Sequence, residues 1–180
     1  MRYIKYAFIL LALFGTTSHA DSSSSASSMP DANSAGAFVQ DFYDWYAPMA
    51  YRQKNSLPWE TAITLKSDLF STRLSVALKR DKFSFANPDD SYTALDSDPF
   101  LNTYNPCEHY IVEKVVEYEK NFRVSMQAIC DGKLRQKVVV WAEVTWKKDK
   151  WLLSNFYYPE GQDLFTMLKK LSKKRGSDTE

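Results

Sequence analysis

"FRVSMQAICDGKLRQKVVVWAEVTWKKDKWLLSNFYY", residues 122–158, alternates apolar and polar side chains with a period of two, and the alternation breaks at turn formers. Successive side chains on a strand point to opposite faces, so the pattern predicts strands at 122–130, 134–146 and 151–158. In the first, Phe122, Val124, Met126, Ala128 and Cys130 oppose Arg123, Ser125 and Gln127. In the second, Leu134, Val138, Val140, Ala142, Val144 and Trp146 oppose Arg135, Lys137, Glu143, Thr145 and Lys147. One face is expected to be buried and the other solvated, as in an antiparallel sheet packed on helices. Asp131-Gly132 is a strong two-residue hairpin signal and Lys148-Asp149 a weaker one. A further strand, 110–118, joins through Lys120-Asn121.

Upstream the period becomes helical. Phe38, Phe42, Trp45, Tyr46 and Met49 form one apolar stripe, with Gln40, Asp41 and Asp44 towards water, and Pro48 predicts an end or a kink. Another helix is expected up to Asp81, capped by Ser67 or Asp68, with Phe70, Leu74, Ala77 and Leu78 on its buried side. Residues 58–65 are open between a short helix and a connector. Asn87-Pro88, Asp98-Pro99 and Asn105-Pro106 mark 82–108 as a long ordered loop, and Gln162–Leu171 closes the chain as a helix. The expectation is an α+β domain over residues 37–175, with a four-stranded curved antiparallel sheet on N-terminal helices, a closing helix and a tail at 176–180. That order is compatible with a cone-like fold.

Before this domain, Arg2 and Lys5, an apolar run from Tyr6 to Phe14 and Ser18-His19-Ala20 have the layout of a cleaved signal peptide over residues 1–20. A Ser-rich spacer is expected over 21–36. The predicted compartment is therefore the periplasm, and with no cysteine after the apolar run the reading is not a lipoprotein. Removing Arg2 and Lys5 takes the formal charge from +1 to −1, which does not suggest nucleic acid as a partner. The dense basic run Lys169, Lys170, Lys173, Lys174 and Arg175 reads as a solvated helix end, with weak contact to anionic lipid as the sharper alternative. In an oxidising compartment the only two cysteines, Cys107 and Cys130, are expected to pair.

Three stretches, "FVQDFYDWY" (38–46), "LDSDPFLN" (95–102) and "WLLSNFYYP" (151–159), resemble the bacterial envelope family called domain of unknown function 3828. The resemblance spans about residues 37–170 and implies an exported protein with a fold similar to the nuclear-transport-factor-two-like cone. It implies no catalytic residues.

The possible chemistry is sparse. Asp96, Asp98 and Asn102 could be metal ligands, but Pro99, Phe100 and Leu101 lie between them without a glycine, and no metal or other cofactor is assigned. The preferred reading is a structural loop in which Asp98 caps the turn begun by Pro99 while Phe100 and Leu101 plug the sheet edge. A pocketed cone could gather Tyr43, Asp44, Tyr46, Asn155 and Tyr157, and an isomerase, a hydrolase or a small-molecule binder would work from there. The favoured reading is non-enzymatic, because aromatic residues exceed what a small core needs and Trp141 falls among outward positions of its strand. Its expected partner is a protein of the cell envelope or an exported toxin, so that the chain would act as an immunity protein. Oligomeric state is not legible.

Overall fold

The structure is a computed structural model describing residues 30–53, 57–85, 95 and 97–177. The expected signal peptide, most of the expected spacer and Asp96 lie outside the described residues. Helices α1 (Ala32–Arg52), α2 (Pro58–Leu65) and α3 (Thr72–Phe85) precede strands β1 (His109–Tyr118), β2 (Asn121–Cys130), β3 (Lys133–Lys147) and β4 (Lys150–Tyr157), and α4 (Leu164–Ser177) follows. The strands form one antiparallel sheet in sequence order. Helices before and after a curved sheet make the fold α+β.

The first helix starts five residues before the expected boundary at 37. Asp31 and Ser34 form a reciprocal capping box, in which the Ser34 N–H donates to Asp31 Oδ1 at 2.8 Å. Ala35 and Gly36 are buried, and a Cβ on Gly36 would sit 3.0 Å from Val115 Cγ2. The small residues that resemble a spacer therefore allow α1 to approach β1 closely. Nor does Pro48 end the helix, which runs on to Arg52 with Ala47 and Ala50 buried.

The second expected helix starts later than its expected cap, and the open stretch before it is helical. Residues 58–65 are helical, Ser67–Leu69 make a 3₁₀ turn, and Phe70 is extended and bridged to Leu153. Ser71, not Ser67 or Asp68, then caps α3 by accepting the Leu74 N–H. At the other end, α4 outruns the expected Leu171 and reaches Ser177, so part of the expected tail is helical. Asp163 caps it by accepting from the Thr166 N–H and hydroxyl.

The inner face of the sheet buries Val124, Met126, Val140, Ala142, Val144 and Phe156 against Val39, Phe42, Tyr43 and Tyr46 of α1. Leu134 and Trp146 are expected on this buried face, yet both are exposed: the β2–β3 bulges turn Leu134 to the outer face opposite Ile129, and Trp146 lies where β3 extends past the core. Asp131 and Gly132 both have positive φ, as do Lys148 and Asp149, so each pair makes the tight turn that suits strand twist.

Both sheet edges have partners. On β1, Gln40 donates to the Tyr110 carbonyl at 3.0 Å and accepts the Val112 N–H at 2.9 Å, as a neighbouring strand would. Gln40 therefore faces the sheet rather than water. On β4, the Ser71 N–H donates to the Leu153 carbonyl at 2.8 Å, and Tyr157 bridges to Asp163. Such cover reduces the tendency of a sheet edge to add a foreign strand.

A Cys107–Cys130 disulfide fastens the segment before β1 to the end of β2. Closing a loop of this length stabilises by about 3 kcal/mol through the unfolded chain. A Cys107→Ser/Cys130→Ser protein should lose about that amount in urea denaturation, and reducing the parent should reproduce the loss. A loss below about 1 kcal/mol would show that the paired strands already impose the constraint.

Candidate functional site

Two polar constellations are built on this frame. The first lies inside. The Asp98 N–H donates to the Thr103 carbonyl, and Asp98 Oδ1 accepts the Phe100 and Leu101 N–H groups at 2.9 and 3.2 Å. Asn102, at φ 52, closes the turn in the left-handed region that asparagine tolerates, and its side chain donates to the Val139 carbonyl.

Three tyrosines from distant elements then read the turn. Tyr46 donates to Asp98 Oδ2 at 2.5 Å, Tyr43 to the Phe100 carbonyl at 2.7 Å and Tyr158 to the Pro99 carbonyl at 3.0 Å. Burial, and then the Asp98 charge, push the Tyr43 and Tyr46 hydroxyls well above the ordinary tyrosine range, and Tyr158 rises for the same reasons. Burial also lifts the Asp98 carboxyl to about 6, against the opposing pull of the Tyr46 hydroxyl and the two amides. Phe100 itself packs at the centre of the helix–sheet interface and does not plug a sheet edge. Each Asp98 oxygen already accepts a protein donor, and among the described residues no group of three or more His, Cys, Asp or Glu could hold a metal ion.

The second constellation lies on the outer face of the sheet. Glu143 of β3 pairs with Arg123 of β2 and Asn155 of β4, which puts the three side chains in one row across the sheet. Its Oε2 accepts from Tyr157 at 2.9 Å and its Oε1 from Ser154 at 2.9 Å and Asn121 at 3.3 Å. The Arg123 Nε is 3.7 Å from Glu143 Oε2, an ion pair without a hydrogen bond. The guanidinium instead lies between two rings, 3.6 Å from the Tyr118 centroid and 3.9 Å from that of Tyr157. Trp141 continues this face, paired with Ser125 and Tyr157, and is half-buried. Ser125 donates to Glu113 at 2.5 Å. The described helices pack on the inner face or along β4, leaving this arginine–aromatic surface outside them.

The residues expected to line one pocket are not brought together. Tyr43 and Tyr46 are fully buried between α1 and the sheet, where Phe42, Phe100 and Phe156 fill the space. Asp44 is exposed on α1 and accepts from Gln40, whereas Asn155 and Tyr157 sit on the outer face and bond to Asp163 and Glu143. His109 is exposed at the start of β1. Glu143, Arg123, Tyr118 and Gln40 were missed as functional or organising residues. Alternation alone could have placed Arg123 and Glu143 outward, but it could not pair them.

These features define an α+β protein whose described residues pack closely between α1 and the sheet and whose outer sheet face is structured. The chain matches no protein-family model, no curated protein and no solved structure.

Proposed function

We propose that this is an exported, non-enzymatic binding protein that engages a protein partner in the cell envelope through the outer sheet face. The observation that carries the reading is the Arg123 guanidinium stacked between Tyr118 and Tyr157, anchored beside Glu143 and flanked by Trp141. Arginine, tyrosine and tryptophan dominate the energetics of protein interfaces, and a side chain already held in place loses little freedom on binding. The covered sheet edges favour contact through the face over strand addition. The disulfide suits an oxidising compartment, and among the described residues no helix is long and apolar enough to cross a membrane. The resemblance to an exported envelope family points the same way. A specific form of the proposal is an immunity protein that neutralises an exported toxin.

Affinity capture from an envelope fraction tests it. The parent should retain a defined partner, and Arg123→Ala and Trp141→Ala should each weaken that complex by about 2 kcal/mol, roughly thirtyfold in Kd. The variants should keep the parent's fold by circular dichroism. Undiminished capture by both variants would place the interface elsewhere.

A further inference from the structure

Helix α3 precedes the strands in sequence and α4 follows them, and the two pack side by side with a groove of about 590 Å³ between them. Its floor is apolar, made by Ala77, Phe165 and Leu168, and its rim carries Arg73, Arg80, Lys169 and Lys173. Among the described residues, no acidic side chain lines it. Arg73 lies over the Phe165 ring at 4.1 Å, so a cation is held at the boundary between floor and rim. Across the two helices there are nine basic residues and one acid, a net +8 in a chain whose total is +1. That acid, Asp81, is buried and accepts the Leu95 N–H. The remainder of the chain, with fourteen basic and twenty-one acidic side chains, therefore carries a net −7, so the excess of positive charge is concentrated on the helix pair.

We propose that this groove docks the protein on a bilayer containing anionic phospholipid, the rim cations meeting headgroup phosphates and the apolar floor facing the glycerol and upper acyl region. Charge complementarity selects the occupant. An amphipathic groove matches a lipid's junction of phosphate and hydrocarbon better than it matches a free ion, and the net negative remainder of the chain would be repelled from the same membrane. Attraction of this kind decays within about 10 Å at moderate salt, which confines the effect to the exposed helix pair. The basic run of α4, which in sequence looks like a solvated helix end, acquires this meaning only when α3 adds Arg73 beside Phe165.

Vesicle co-sedimentation of the full chain at low ionic strength provides the test. The parent should bind vesicles of phosphatidylglycerol mixed with phosphatidylcholine and leave pure phosphatidylcholine vesicles unbound. Arg73→Gln/Lys169→Gln/Lys173→Gln should weaken binding by about a hundredfold, at about fivefold per charge. The same charge change at Lys133, Arg135 and Lys137, exposed at the β2–β3 hairpin, should leave binding unchanged. If the first triple variant does not fold, Lys169→Glu/Lys173→Glu preserves the Arg73–Phe165 contact and should abolish binding. Equal binding by parent and groove variants, or an equal loss in the hairpin control, would overturn the proposal. So would binding of inorganic phosphate that the groove variants lose while their vesicle binding persists.

Discussion

Phe100→Ala is expected to destabilise the protein by about 3 to 5 kcal/mol, the usual cost of deleting a fully buried phenyl ring. Phe100 is 0% exposed, and its ring lies 5.8 Å from Phe42, 5.3 Å from Tyr46, 5.4 Å from Phe70 and 4.8 Å from Phe156. Those four rings come from α1, the segment before α3, and β4, so a single side chain joins three parts of the fold. Because the neighbours are rigid aromatics, they close poorly over a cavity, and the loss should fall towards the upper end of that range. A domain of this size typically has only about 5 to 15 kcal/mol of stability, so the variant should unfold at markedly lower urea. Phe100→Leu, which keeps most of the volume, should cost about 1 to 2 kcal/mol. A loss below about 1 kcal/mol for Phe100→Ala would mean that the loop is an accessory to the core rather than its centre.

How far the sequence carries depends on whether a feature is local. The four strands, two of their turns and the helical stripe of α1 follow from periodicity, since each is specified within about ten residues. The hairpin at Asp131-Gly132 also pairs Cys130 with Lys133, and uninterrupted counting from there would place Arg123 opposite Val140. The structure places it opposite Glu143, because irregularities near Met126, Gln127 and Ile129 take up three residues of β3. An odd shift exchanges faces, so the Arg123–Glu143 pair was hidden by the bulges.

The other misses share that cause. Gly36 resembles spacer until β1 is seen 3.0 Å from its missing Cβ, and Gln40 resembles a solvated helix residue until the open edge of β1 lies beside it. The residues expected to line one pocket are kept apart for a related reason. Tyr43 and Tyr46 do share a helix face, but the loop carrying Phe100 inserts between α1 and β4 and fills the space. Nothing local to 38–46 could indicate that. Likewise, the groove between α3 and α4 joins charges about ninety residues apart in sequence. The outer face and the groove are separate surfaces, so the two proposals can succeed or fail independently: one is read by a protein complex, the other by lipid composition.

Asp98→Asn should remove a specific part of the protein's pH dependence. Burial raises the Asp98 carboxyl from 3.8 to about 6 in the folded protein, while the unfolded chain releases its proton near the ordinary value. Across that window the folded state binds more protons than the unfolded state, so the stability from this group falls as pH rises from about 4 to 6 and is flat on either side. The difference amounts to about 3 kcal/mol. Tyr43, Tyr46, Tyr110 and Tyr158 surround the carboxyl, but their hydroxyls are all raised by burial and stay protonated throughout this range. The asparagine keeps an oxygen for the Phe100 and Leu101 N–H groups, although Tyr46 loses the acceptor for its proton. The variant should therefore be less stable than the parent near pH 4 and should regain about 3 kcal/mol relative to it by pH 7. Asp98→Ala, which also strands two buried amides, should be the poorer of the two at every pH. Urea denaturation of parent and both variants at unit pH steps measures this. Parallel curves for the parent and Asp98→Asn between pH 4 and 7 would show that the buried carboxyl releases its proton at the same pH whether the chain is folded or not.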